Sequence, residues 1–208
     1  MNRRIDAVIF DWGGVLIDNP APLMLERFAH ALGVSAAALA PALARHGQAF
    51  QRGTCSEADF WSAVCRDAGA AVPNEPSLWG RVFREVYRPR PGMWQLARDL
   101  RRAGIRTALL SNTEPPGVQY FHQRNENPFD VLVFSCCEGC CKPEPGIYLS
   151  ALQRLGTSAP RTLFIDDNPQ YVEGARRCGL EGVVFSDEPS LRKALMLLGA
   201  IAPEGTGS

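Results

Sequence analysis

No sign of charge dominates the 208-residue sequence: 22 lysines and arginines stand against 22 aspartates and glutamates. With no basic excess, neither nucleic acid nor an anionic membrane is expected as a partner. No apolar run approaches the ~20 residues a membrane-spanning helix needs. Asp6 and Asp11 interrupt the apolar stretch that a secretory leader would require after Met1-Asn2-Arg3-Arg4. A cytoplasmic protein is expected, with its seven cysteines held as thiols. Histidine is scarce, and His30, His46 and His122 fall singly on helical patterns, as surface or packing residues. Cys137 and Cys140 have C-x-x-C spacing, but no second such pair or paired histidines complete a zinc site elsewhere. Plain thiols are therefore expected of Cys136, Cys137, Cys140 and Cys141, with a redox switch and a thiolate metal site as alternatives. Cys55, Cys65 and Cys178 read as buried apolar fillers. No internal repeat is present.

What is there is an alternation of strands and helices with one interruption. The run Ile5-Asp6-Ala7-Val8-Ile9-Phe10 ends in Asp11 and then Trp12-Gly13-Gly14. Short apolar runs bounded by turn residues read as strands of a parallel sheet, buried on both faces. Nearly ninety residues then pass without a strand. Leu25, Phe28, Ala29 and Leu32 repeat at helical spacing, Ser56 to Asp59 forms a capping-box signature, and Trp79, Val82, Phe83 and Val86 repeat the spacing. One helix suffices to join parallel strands, so residues 17–88 read as an inserted helical cap. Arg88-Pro89-Arg90-Pro91-Gly92 reads as a stiff linker and hinge. Strands are predicted over Ile105–Leu110, Val131–Phe134, Thr162–Ile165 and Gly182–Phe185, with helices between them and a last helix from Pro189 to about Leu198. A cysteine-rich loop follows the third strand. The expected fold is α/β: a Rossmann-like, doubly wound parallel sheet formed by residues 1–16 and 89–200, carrying the small helical cap. Residues 201–208 are expected to be a disordered tail.

Several strands end in polar groups, and ligands of such sheets sit beyond the carboxyl ends of the strands. Strand one supplies Asp11, strand two Ser111 and Asn112, strand four Asp166 and Asp167, and the loop after strand three Lys142. Singly, each has an ordinary reading: Asp11 or Ser111 as a helix cap, Lys142 as a solvated surface lysine. The adjacent Asp166 and Asp167 repel each other and gain little unless a cation sits beside them. As a set they offer three carboxylates to a hard cation and a lysine with a hydroxyl to a phosphate. Magnesium is commonly held by one or two carboxylates together with substrate phosphate oxygens.

Four stretches occur in the order of one known superfamily: Phe10 to Leu16, Leu110 to Thr113, Lys142-Pro143-Glu144-Pro145 with Ile147-Tyr148, and Phe164 to Asn168. Through them the chain resembles the haloacid dehalogenase-like hydrolase superfamily, in the branch with a small helical cap. The stretches Phe50-Gln51-Arg52-Gly53 and Ser56 to Trp61 also resemble this branch. The nearest likeness is to sugar-phosphate phosphatases of the glucose 1-phosphate type. The resemblance implies a magnesium-dependent phosphatase of a small organic phosphate ester, with a sugar phosphate as one candidate, acting as monomer or homodimer. Asp11 would be the nucleophile that forms an aspartyl-phosphate. Mg²⁺ would be held by Asp11, the Gly13 carbonyl and Asp167, with Asp166 in the same site directly or through water. Ser111, the Asn112 amide and Lys142 would grip the phosphoryl oxygens.

One departure stands out. Most phosphatases of this superfamily place a second aspartate, a general acid and base, two residues after the nucleophile. Here that residue is Gly13. General acid catalysis is typically worth about 10²–10⁴-fold, so either water, a cap residue or Asp18 is expected to take its place, or only good leaving groups are expected to be cleaved. The rival reading is a catalytically silent binding or regulatory protein on the same fold.

Overall fold

The computed structural model describes residues 5–201. The tail read above as disordered lies, from residue 202 onward, outside the described residues. Five strands, β1 (Ala7–Phe10), β2 (Arg106–Ser111), β3 (Val131–Phe134), β4 (Thr162–Asp166) and β5 (Glu181–Val184), form one parallel sheet in the order β3-β2-β1-β4-β5. All four residues of β1 are inaccessible to solvent. Val8 and Phe10 join the apolar cluster on one face, while Ala7 and Ile9 join the cluster on the other. This two-sided burial is what the uninterrupted apolar run requires. The edge strand β5 is less covered, with Val184 exposed.

Five helices lie between β1 and β2, and the first four of them make the cap: α1 (Ala21–Leu32), α2 (Ala36–Gln51), α3 (Glu57–Ala68) and α4 (Leu78–Val86). Their starts follow from local chemistry. Ser35, Ser56 and Ser77 each accept a hydrogen bond from a backbone N–H of the first turn, and Ser56 with Asp59 completes the capping box. The helix α2 escaped the periodicity because its sequence is rich in alanine and carries Pro41 inside, a residue that ordinarily signals a break. No single helix among the described residues is long and apolar enough to cross a membrane. Helices α5 (Pro91–Arg102), α6 (Pro115–Gln123), α7 (Ser135–Glu138), α8 (Pro145–Leu155), α9 (Pro169–Arg177) and α10 (Glu188–Leu197) complete the fold. Residues of α5 and α10 belong to the cluster on one face, those of α8 and α9 to the cluster on the other. The stretch after β3, expected as a loop, begins with the short helix α7.

The cap is tied to the core at three places. At the hinge, Asp18 N–H donates to Arg88 O and Arg90 N–H to Leu16 O, both at 2.9 Å, so the two crossing chains are paired. At the centre Trp12 meets Phe83 of α4 and Phe121 of α6, with ring centroids 5.3 and 5.4 Å apart. Pairs of this geometry add about 0.5–1.5 kcal/mol beyond the area they bury. At the end of α2, Arg52 pairs with Glu144 and donates to Gly139 O, while Ser135 Oγ donates to Gln51 O. The buried residues of the cap and of the adjoining sheet face form one continuous cluster.

Candidate active site

The strand order reverses at β1: the chain proceeds outward to β2 and β3, then returns to place β4 on the other side. Such a switch point opens a crevice beyond the strand ends. The pairing of Phe10 with Ile165 brings Asp11 beside Asp166, and Asp11 N–H donates to Ile165 O at 2.9 Å. Lys142 enters from the loop after α7, with Nζ 2.7 Å from Asp11 Oδ1 and 2.6 Å from Asp166 Oδ2. The lysine is almost fully buried, and so is Asp166. Asp166 is fully engaged, since its second oxygen accepts from Asn168 N–H at 2.8 Å. Asp167 is the most open of the three carboxylates. Oxygens of Asp11, Asp166 and Asp167 lie within 4.8 Å of one another, the one such grouping of metal-ligating side chains among the described residues.

Three carboxylates around one ammonium leave an excess of negative charge, and their protonation reflects it. Burial pushes the Asp11 carboxyl up to about 7; Lys142 opposes this and the neighbouring Asp166 adds to it. Burial and Asp166 also raise Asp167. Lys142 is raised as well: burial disfavours its charge, but Asp11 and Asp166 together outweigh that cost. A cation among the carboxylates would reverse the upward shifts of the two acids. The donor set, all hard oxygen with two charges left over, fits a divalent ion of the magnesium type.

The loop after β1 is held tightly. Leu16 and Ile17 N–H both donate to Trp12 O, and Gly14 N–H donates to Ile17 O. Gly14 has φ +87°, and a Cβ there would lie 2.1 Å from Asp167 Oδ2, so only glycine lets the two motifs approach. Gly13 is outside the left-handed region; a Cβ would meet Pro20 Cδ at 3.3 Å. Ser111, the last residue of β2, is buried in the wall of the same cavity. The Asn112 side chain accepts from Lys142 N–H at 2.8 Å and donates to Lys142 O at 3.1 Å. It therefore positions the lysine, a role the sequence did not disclose.

These groups open into a cavity of about 730 Å³ under the cap. Asp11, Gly13, Ser111, Asn112, Lys142 and Asp167 line it; Asp166 lies behind them. Asp18 is a correction. It is not in the cavity wall, its side chain is 62% exposed, and it pairs with Arg90 at 2.9 Å. Its backbone is paired with Arg88 where the chain enters the cap, which leaves the side chain on the outer face beside Arg90, whose guanidinium also donates to Gly14 O. Sequence reading missed Glu114, which does line the cavity. Only its place three residues after Ser111 could have signalled it. Among the described residues the cysteines belong to no grouping of three or more metal-ligating side chains; Cys137 is exposed, Cys141 buried, Cys136 and Cys140 half-buried. Cys65 is buried as expected, but Cys55 and Cys178 are only half-buried. His46 pairs with Asp67 on the cap surface, and His122 packs its ring against Phe134.

The family model of the haloacid dehalogenase-like hydrolases matches residues 5–179. The chain belongs to that family. Among curated proteins, this hydrolase is 30% identical over 210 residues to the acyl-CoA dehydrogenase family member 10 of Mus musculus. The alignment covers 95% of the chain and only 19% of that protein. It is 29% identical to the sesquiterpene phosphatase astK of Aspergillus oryzae, over 90% of the chain and 93% of the relative. It is 32% identical to the phosphorylated carbohydrates phosphatase of Thermotoga maritima, over 59% of the chain and 58% of the relative. A family enzyme of Bacteroides thetaiotaomicron, solved with magnesium and inorganic phosphate, superposes with a TM-score of 0.74 at 21% identity. That match covers 90% of this chain and 98% of the other. The likeness confirms the Rossmann-like α/β fold with its helical cap.

Proposed function

We propose that this hydrolase is a magnesium-dependent phosphatase of a small organic monophosphate, working through an aspartyl-phosphate on Asp11. The observation that carries the reading is the meeting of Asp11, Lys142, Ser111 and the Asp166–Asp167 pair at one strand-end cavity. Asp11, the Gly13 carbonyl and Asp167 would hold Mg²⁺, with Asp166 behind them. A bound magnesium would neutralise charge on the phosphoryl oxygens and keep Asp11 ionised.

The chain's own groups divide the remaining work. Lys142, fixed by Asp166 and the Asn112 side chain, presents a positive charge beside the Asp11 oxygen. Ser111 offers its hydroxyl, and Asn112 its main chain, to the phosphoryl oxygens. An Asp11 oxygen attacks phosphorus, the bond to the leaving oxygen breaks, and its electron pair departs with the alcohol. Water then cleaves the aspartyl-phosphate and releases inorganic phosphate. The cap excludes bulk water from the first step and admits it to the second. The named relatives that are phosphatases, and the magnesium and phosphate bound by a structural neighbour, support the same reading.

The second reading, a silent binding protein, draws on the missing acid at Gly13. Release of phosphate from p-nitrophenyl phosphate with magnesium, and its loss with a chelator, decides between them. Absence of turnover at every magnesium concentration would overturn the enzyme.

A further inference from the structure

The cavity has two unlike halves. From the cap side, fourteen residues between Ile17 and Phe83 line it, and none is charged. Only Asn19, Gln51 and the indole N–H of Trp79 bring polar side-chain atoms to it. Asn19 and Gln51 are each engaged in part: Asn19 Oδ1 accepts from Ala21 N–H, and the Gln51 side chain donates to the Glu114 carboxyl. The rest of that wall is apolar, with Met24, Leu25, Phe28, Leu43, Phe60 and the ring of Trp79 its largest contributors. A sugar bound there would bury most of its hydroxyls without partners, which is costly. An apolar body would gain with every methylene it buries.

We infer that the leaving group is an apolar alcohol: the substrate is the monophosphate of an aliphatic chain or hydrocarbon ring system, not of a sugar. The inference rests on the phosphatase reading for turnover but not for binding. The experiment uses straight-chain alkyl monophosphates of increasing length beside glucose 1-phosphate, with magnesium present. Phosphate release is followed on the wild type and dissociation constants on Asp11→Asn. Each added methylene should improve kcat/KM, and binding to Asp11→Asn, by about three- to fourfold until the cavity is filled. Glucose 1-phosphate should trail a chain of similar size by about 100-fold. Leu25→Gln and Leu43→Gln, at half-buried positions the fold can tolerate, should weaken long chains about tenfold more than short ones. Binding that is flat with chain length, or glucose 1-phosphate equal to the long chains, overturns the inference. Binding that rises with length without any turnover upholds the apolar monophosphate as the ligand of this cavity and sinks the phosphatase reading instead.

A separate observation concerns the proton. Glu114 is half-buried in the cavity wall and forms no ion pair among the described residues. The groups beside it are the Gln51 side chain from α2 and the Cys136 thiol from α7, and Asp11, Lys142, Asp167 and Tyr171 line the same cavity. We propose that Glu114 is the proton donor that stands in for the acid absent at Gly13. Burial raises its carboxyl to about 7, with the Gln51 hydrogen bond opposing, so it carries a proton near neutral pH. It gives that proton to the leaving oxygen as the phosphorus–oxygen bond breaks. As a carboxylate it takes one back from the water that hydrolyses the aspartyl-phosphate.

Glu114→Gln keeps the shape and the contact with Gln51. Its kcat on alkyl monophosphates should fall by about 10²–10⁴-fold, and on p-nitrophenyl phosphate, whose leaving group needs no proton, by less than about tenfold. Glu114→Asp should recover part of the alkyl activity, and the alkaline limb of the wild-type alkyl profile should vanish in Glu114→Gln. An equal loss on both substrates, or no loss on either, would sink the assignment.

Discussion

The floor and the roof of the cavity come from different parts of the chain and obey different physics. The floor is built by strand ends, where three carboxylates and a lysine meet within hydrogen-bonding distance or little more. Its groups are short of room, and each is held by another: Asp166 by Asn168, Lys142 by Asn112, Asp167 by the absence of a side chain at Gly14. The roof is built by an insertion between β1 and β2 and is nearly free of polar side chains. Chemistry common to a family belongs in the floor, because charge placement tolerates little displacement. Choice of leaving group belongs in the roof, where a change of apolar shape costs little elsewhere.

The largest expected effect separates the two at once. Asp11→Asn should lower kcat by on the order of 10⁴-fold or more, the scale of removing a covalent nucleophile. It should not unfold the protein, because it takes an ionisable group out of a crowded buried cluster. Thermal unfolding and phosphate release, measured on the same preparation, test both halves. A mutant that keeps a substantial share of activity would rule out the aspartyl-phosphate. Next comes Lys142→Met, which leaves Asp11 and Asp166 buried without their counter-charge. Losing one partner of such a cluster costs about 3–5 kcal/mol, so denaturant midpoints should fall with activity. No roof substitution of one apolar residue by another of similar volume should exceed about 1.5 kcal/mol.

The floor also predicts how stability follows pH. Without metal, folded Asp11 keeps its proton to about 7, against 3.8 in the unfolded chain. Glu114 behaves likewise, from 4.5 to about 7, and Asp167 is shifted in the same direction. Over that window the folded state binds more protons than the unfolded one, so metal-free stability falls as pH rises from about 4 to 7. Lys142, raised above 10.5, contributes a term that stays constant there and is lost only at high pH. Magnesium displaces the protons and should flatten or reverse the slope. Melting temperatures across pH 5–8, with and without magnesium, check the sign, and a rising metal-free curve would contradict it.

The floor was legible in the sequence because strand ends carry a local signal. An apolar run stops at a carboxylate, and chain order fixes which strand ends meet. The roof was only partly legible. Three of its helices showed in periodicity or capping, whereas α2 hid behind alanines and Pro41. Asp18 and Glu114 show the same limit at single residues. Asp18, near Asp11 in sequence, lies on the outer face beside Arg90, while Glu114, a hundred residues away, faces the cavity. Periodicity says which face is buried, not which carboxylate a neighbouring arginine captures.

The smallest effects belong where roof and floor touch. Arg52 and Gly53 of the cap rest on the stretch that holds the cysteines; a Cβ at Gly53, where φ is +67°, would lie 2.2 Å from Cys136 O. Burial, with Cys137 beside it, pushes the Cys136 thiol up to about 12, and Cys140 and Cys141 are also raised. Protonated thiols are poor metal ligands and poor nucleophiles. Cys137→Ser, at an exposed site, should change stability by no more than about 0.5 kcal/mol. Cys136→Ser and Cys140→Ser, both half-buried, should cost little more, and Cys141→Ser should cost the most of the four because it is buried. Zinc bound in stoichiometric amount, and lost with Cys137→Ser, would show instead that the loop closes on a metal and stiffens the seat of the cap. Denaturation under reducing conditions and metal analysis of the purified protein distinguish the two.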